Sequence, residues 1–95
     1  MRSLIVSTAV REKLRTKHSV EVREVEQCFD NKCGQLLEDT RAEHKTDPAS
    51  LWFIAPTNKD RLLKVVLMII DGNIHIKSAF EADARSISIY DRYGR

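Results

Sequence analysis

The hydrophobic positions change period along this chain. Near the start, Ala9, Val10 and Leu14 recur at helical spacing behind Ser7 or Thr8, either of which can cap the helix, and Lys17 and His18 suit its last turn. Ser19 is placed to cap a second helix, in which Val22, Val25 and Phe29 form one apolar stripe with Cys28 alongside. Asp30, Asn31 and Gly34 stop it. The pattern then becomes extended. Gln35-Leu36-Leu37 is a short strand candidate, and the breaker pair Asp47-Pro48 precedes a strand from Leu51 to Ala55. Residues 62–70, LLKVVLMII, are apolar almost throughout, as a central strand requires. Asp71-Gly72 is a two-residue hairpin signal. It leads into residues 73–80, where Ile74, Ile76, Ser78 and Phe80 alternate with Asn73, His75, Lys77 and Ala79. A last helix, roughly residues 81–93, carries Ala84, Ile87 and Tyr90 on one face.

This order predicts an α+β fold: a helical hairpin, a four-stranded antiparallel sheet and a C-terminal helix. The helices are expected on one sheet face, leaving the other open to solvent or ligand. Ninety-five residues make a single domain, 1–95, large enough to fold alone, with oligomerisation left open. The 42% apolar and 32% charged content is ordinary for a soluble protein, and no apolar run approaches the roughly 20 residues of a membrane span. The N-terminus turns basic after a short apolar patch, unlike a secretory signal, and two cysteines spaced CxxxxC are too few for a disulfide framework. A reducing cytoplasm is the expected location, with no membrane partner.

Charge adds polarity. Residues 1–20 carry +4, residues 21–47 carry −4 and the remainder +2, within a net charge of +2. A chain divided this way suits a nucleic acid or a charged protein partner. The three histidines and two cysteines share no metal-ligand spacing, so no metal site is expected. With no Gly-rich phosphate loop and no GxSxG, no cofactor is expected either. The acidic stretch EDTRAEHKTDP, residues 38–48, alternates carboxylates with basic groups, which reads as a strand connection before an acid–base site.

A metal-free nucleic-acid site fits better. Cleaving RNA without metal needs a proton-transfer group near the 2′-hydroxyl and cations against the phosphate. Arg11, Arg15 and His18 fall on one helical face, His75 and Lys77 share a strand face, and Arg85 lies early in the last helix. The plainer alternative is a solvated charged surface. Trp52 and Phe53, adjacent in a strand, must point to opposite sheet faces, so packing is the expected role for both.

The segment KHSVEVREVEQCF, residues 17–29, resembles the KHG-V-x-F-x-x-A-x-x-VF opening of BrnT-type toxins, small proteins with a RelE-like ribonuclease fold. LEDTR, residues 37–41, resembles their strand ending in ED-x-R. IKSAFEADARSISIY, residues 76–90, resembles their ISARRATRRERRLY ending, with Ser78, Ala79, Ala82, Arg85 and Tyr90 at matching positions. The resemblance implies a RelE/BrnT-like fold, metal-independent endoribonuclease activity or RNA binding, and neutralisation by a small DNA-binding antitoxin. Where such toxins place two basic residues after Ser-Ala, this chain has Phe80 and Glu81, and Ser86, Ile87 and Ser88 replace later basic positions. The chain is also similar to short bacterial proteins sharing REVEQCF, DTR-x-x-H-x-TDP, LWFIAPTN and LLKVV, often labelled ADP-ribosyl-(dinitrogen reductase) hydrolase.

These readings converge on a divergent toxin-like protein acting on RNA. His44, Lys77, Arg85 and Tyr90 are the candidate catalytic residues, with His44 or Tyr90 handling protons. Arg11, Arg15, Arg41 and Lys64 are the candidate phosphate- and RNA-binding residues, joined in that role by Lys77 and Arg85. The rival reading, favoured by Phe80 and Glu81, is a non-catalytic protein-interaction module. ADP-ribosyl hydrolase chemistry is a third reading and rests on the label alone.

Overall fold

The computed structural model describes residues 4–39 and 48–95. Elements run β1 (Leu4–Ile5), α1 (Thr8–His18), α2 (Val22–Asn31), β2 (Leu37–Glu38), β3 (Leu51–Pro56), β4 (Leu62–Ile70), β5 (Asn73–Glu81) and α3 (Ala84–Tyr93). The strands form one sheet in the order β1-β5-β4-β3-β2. The α+β expectation therefore holds, with one difference. The sheet has five strands and is mixed, because the two-residue β1 pairs parallel to β5 through Leu4↔Ile74 and Ile5↔His75. Two residues are too short a run for a periodic pattern to reveal.

Local chemistry sets the helix ends. The Ser7 side chain accepts from Val10 N at 3.2 Å and caps α1. Ser19 does not cap α2 as expected. It closes α1 in the left-handed region at φ 54°, and Val20 N donates to Leu14 O across it. A reciprocal box opens α2 instead: the Glu21 side chain accepts from the Glu24 backbone, and the Glu24 side chain accepts from Glu21 N at 2.9 Å. Arg61, delivered by the β3–β4 connection, locks this corner. Its guanidinium donates to Ser19 O at 2.7 Å and His18 O at 3.0 Å while pairing with Glu24 at 3.3 Å. The exposed carbonyls ending α1 thus gain a cationic donor.

Register assigns side chains to faces. Leu51↔Leu67, Phe53↔Val65 and Ala55↔Leu63 lie on one face, and Trp52↔Val66 and Ile54↔Lys64 on the other. The hairpin covers the first face. Phe29 meets Phe53 edge-on at 4.8 Å, and the Cys28 thiol donates to Ala55 O at 3.4 Å. The C-terminal helix covers part of the second, with Tyr90 packed at 5.7 Å from the Trp52 ring. The expectation of helices gathered on one face is corrected: they sandwich the sheet. All four of Trp52, Phe53, Ile54 and Ala55 are consequently buried, so neither aromatic is a free surface platform.

The β4–β5 hairpin turns through Asp71 and Gly72 at φ 52° and 80°, the pair of positive values a type I′ turn demands. Simple alternation fails in β5. Val66 pairs with Ser78 and Leu67 with Ile76, leaving Lys77 as a bulge without a register partner. The bulge shifts the phase, so Ile76 and Ala79 both enter the core. Lys13 Nζ donates to Lys77 O at 3.2 Å, tying α1 to the bulge.

Candidate nucleic-acid interface

On the α3 face, coverage of the sheet is incomplete. A basin of about 660 Å³ remains between α3, β4 and the β2 edge, a volume in the range of small-ligand sites. Trp52 and Lys64 line its base, Phe80 and Leu37 its sides, and Arg85, Ser86, Ile89 and Tyr93 the helix wall. The wall follows from spacing: Arg85, Ile89 and Tyr93 are four residues apart and share one helix stripe. Ile89 is 37% and Tyr93 64% exposed, both high for large apolar side chains.

Of the two cations, Lys64 is held in place. Lys64 Nζ lies 4.4 Å from the centroid of the Trp52 ring and donates to Ser86 Oγ at 3.2 Å. Asp83 caps α3, accepting from Ser86 N at 2.7 Å. These Ser86 hydrogen bonds, with Lys64 and Arg85 close by, hold the Asp83 carboxyl below its ordinary value. Asp83 is thus committed to the helix start. Glu38 also borders the basin, but register puts it opposite Leu51, on the sheet face that turns toward the hairpin. Asp39 lines the basin at its β2 edge as well, so the site sets two cations among carboxylates beside aromatic and aliphatic walls; cations next to apolar faces are what a phosphate and its nucleoside need.

The sequence-derived candidates separate. Lys64 and Arg85 meet in this basin although 21 positions apart. Arg11 and Arg15 line a different groove of about 530 Å³ between α1 and α2, and Arg15 pairs with Glu12 at 3.3 Å in a solvent-exposed contact. Lys77 does not line the basin; its ammonium donates to Ser50 Oγ at 3.0 Å. Tyr90 is fully buried and its hydroxyl donates to Gln35 O at 2.7 Å, with burial raising its pKa above the usual phenol value. As placed, it fastens α3 to the segment before β2. Arg41 and His44 lie outside the described residues. The sequence reading did not put Trp52, Phe80, Ser86, Asp83 and Tyr93 in one site; the four-residue spacing of Arg85, Ile89 and Tyr93 was the signal available for the wall.

Among the described residues, no group of three or more His, Cys, Asp or Glu side chains is arranged to hold a metal ion, and no helix is long and apolar enough to cross a membrane.

No protein-family model matches the sequence, and no curated protein matches it. Among solved structures, the crystal structure of the Brucella abortus ribonuclease toxin BrnT superposes with a TM-score of 0.62 at 15% sequence identity, covering 87% of this chain and 99% of the toxin. This neighbour is a ribonuclease toxin and lends no support to the ADP-ribosyl hydrolase label. The chain has the fold of a BrnT-like ribonuclease toxin, and the basin is set into that fold between the terminal helix and the sheet.

Proposed function

We propose that this protein is a divergent, toxin-like protein directed at RNA, with a small DNA-binding antitoxin as its neutralising partner and the α3 basin as its RNA site. The observation that carries the reading is the meeting of Lys64 and Arg85 with Phe80, Ile89 and Tyr93 on a fold shared with a ribonuclease toxin. Cations in a basin with apolar walls suit a single-stranded backbone better than a duplex, whose bases are already stacked. Lys64 and Arg85 then hold phosphate. Arg41 and His44 remain assigned by sequence, Arg41 to phosphate and His44 to proton transfer, and Lys77 stays a candidate at lower rank because it faces Ser50. Tyr90 is set aside as a proton carrier, since its hydroxyl is committed inside the core.

The test is expression of the chain without a partner, scoring growth arrest, together with RNA cleavage by the purified protein in a chelator. Arrest with cleavage that survives chelation is the expected result; RNA binding without cleavage supports the RNA-directed role and removes the nuclease. A protein that neither binds nor cuts RNA overturns the reading. The second reading, a non-catalytic interaction module, is favoured by the exposure of Ile89 and Tyr93 and by the replacement of two basic residues with Phe80 and Glu81. It predicts no arrest and no RNA affinity.

A further inference from the structure

The basin wall continues onto the solvent side of α3. Ile89 follows Arg85 by four residues, and Arg92 and Tyr93 follow Ile89 by three and four, so all four share one stripe of the helix. Ile89 and Tyr93 are exposed, and they join the apolar lining supplied by Leu37, Trp52 and Phe80. Single apolar residues on a surface are ordinary, but a run continuous with a half-open basin marks a contact surface. Arg92 Cζ lies 5.8 Å from the centroid of the Tyr93 ring, which holds both side chains over the helix. Charge separates across the basin. On the helix side, Asp91 pairs with Arg95 at 2.6 Å and Asp83 accepts from Ser86 N at 2.7 Å. Among the described residues no carboxylate forms an ion pair with Arg85 or Arg92. The β2 edge on the far side carries Glu38 and Asp39. An acidic group is therefore favoured along the helix rim and disfavoured deeper in the basin.

We propose that this stripe is a docking surface for an amphipathic helix of a protein partner, with an apolar face seated on Ile89 and Tyr93 and two carboxylates paired with Arg85 and Arg92. Tyr and Arg are the residue types that anchor protein interfaces. The two arginines are two helical turns apart, about 10 Å, so the partner's acids are expected at the same two-turn interval along one flank. Its other flank lies toward the β2 edge and its acids, and is uncharged or basic. A second copy of this chain is the wrong occupant. Packing α3 on itself about a two-fold axis through Ile89 turns Arg85 of each copy toward Arg92 of the other, like charges with no acid between them. A docked helix covers Arg85 and closes the basin. That this partner is the neutralising antitoxin rests on the RNA-directed reading; the surface and its chemistry do not.

The probe is a synthetic amphipathic helix with a leucine stripe and two glutamates two turns apart on one flank, compared with the same peptide carrying glutamines there. Binding is read on the full chain from backbone amide shifts. The glutamate peptide is expected to shift the amides of α3 and to bind about three- to tenfold more tightly than the glutamine peptide, the size of two exposed ion pairs. Arg85→Ala/Arg92→Ala should erase that preference. Tyr93→Ser should weaken both peptides about tenfold or more. Tyr93 is 64% exposed, so this variant keeps its fold, which circular dichroism checks. An oligoribonucleotide made uncleavable by 2′-O-methyl groups should be displaced by the glutamate peptide. Equal binding of the two peptides, shifts centred outside α3 and the basin, or self-association that Tyr93→Ser abolishes overturns the proposal. RNA that stays bound beside the peptide overturns the closing of the basin. Peptide binding with no RNA affinity leaves the docking surface standing and removes the RNA-directed reading. RNA binding with no peptide binding sinks the docking surface alone.

Discussion

The two faces of the sheet are packed to different degrees. On the hairpin face, Phe53, Leu63, Val65 and Leu67 are completely buried beneath α1 and α2, with Cys28 and Phe29 packed onto the sheet and Arg61 bracing the corner from the edge. On the opposite face α3 packs only through its inner stripe, at Trp52 and Tyr90, and then leaves the basin. Both faces are built from the same strands, so the difference lies in what covers them. A hairpin of 11- and 10-residue helices closes one face, and a single 10-residue helix half closes the other. Stability is thereby concentrated on the hairpin side, and room for a ligand is left where apolar coverage ends.

The comparison breaks most directly at Phe53. Phe53→Ala removes the ring beneath Phe29 and is expected to cost about 3–5 kcal/mol in denaturant unfolding, enough to threaten folding of a domain this size. Gly34→Ala comes next. A Cβ there would lie 2.7 Å from Gly94 O and 2.9 Å from the Tyr90 ring, and the strain on the α3 lock is expected to cost about 1–3 kcal/mol. Arg61→Ala should cost about 1–2 kcal/mol, because the His18 and Ser19 carbonyls lose their donor while Glu24 loses its partner. A loss within error for Arg61→Ala would show that the hairpin holds itself without the clamp.

A pH effect on the hairpin face comes last, because it is felt only in alkaline solution. Burial of Cys28, with Glu24 nearby, pushes its thiol up from 9.0 to about 11. The unfolded chain therefore ionises this thiol first, and stability should decline as pH rises from 9.0 to about 11. Cys28→Ala should reduce that slope, with the buried Tyr90 hydroxyl supplying the remainder, while Cys33→Ser leaves it unchanged, a difference readable by melting at pH 8 and pH 11.

Much of this architecture was legible where one local signal dominated. The run LLKVVLMII gave β4 its exact bounds, and Asp71-Gly72 located the turn, because each depends on neighbours in sequence. Departures arose where register or tertiary contact decided. The bulge at Lys77 reverses the side-chain phase, which alternation could not show. Glu81 still pairs with Leu63, so α3 begins at Ala84 behind its Asp83 cap rather than at residue 81. Ser19 has the chemistry of a cap but occupies a left-handed position at the end of α1. The site was legible in part: Lys64 and Arg85 were both candidates, yet their meeting depends on Lys64 sitting opposite Phe80 and on α3 folding back across Trp52. Tyr90 carried the right functional group, and only its burial assigns the hydroxyl to Gln35.

The central claim is that RNA is received on the half-covered face and not in the arginine-lined groove of the hairpin face. Affinity for a single-stranded oligoribonucleotide tests it, comparing the double variant Lys64→Ala/Arg85→Ala with Arg11→Ala/Arg15→Ala. Loss of two phosphate contacts should weaken the first by tenfold or more at moderate salt and reduce its salt slope by about 1.4, with the second close to wild type. Affinity lost in the Arg11/Arg15 variant and retained in the Lys64/Arg85 variant would contradict it.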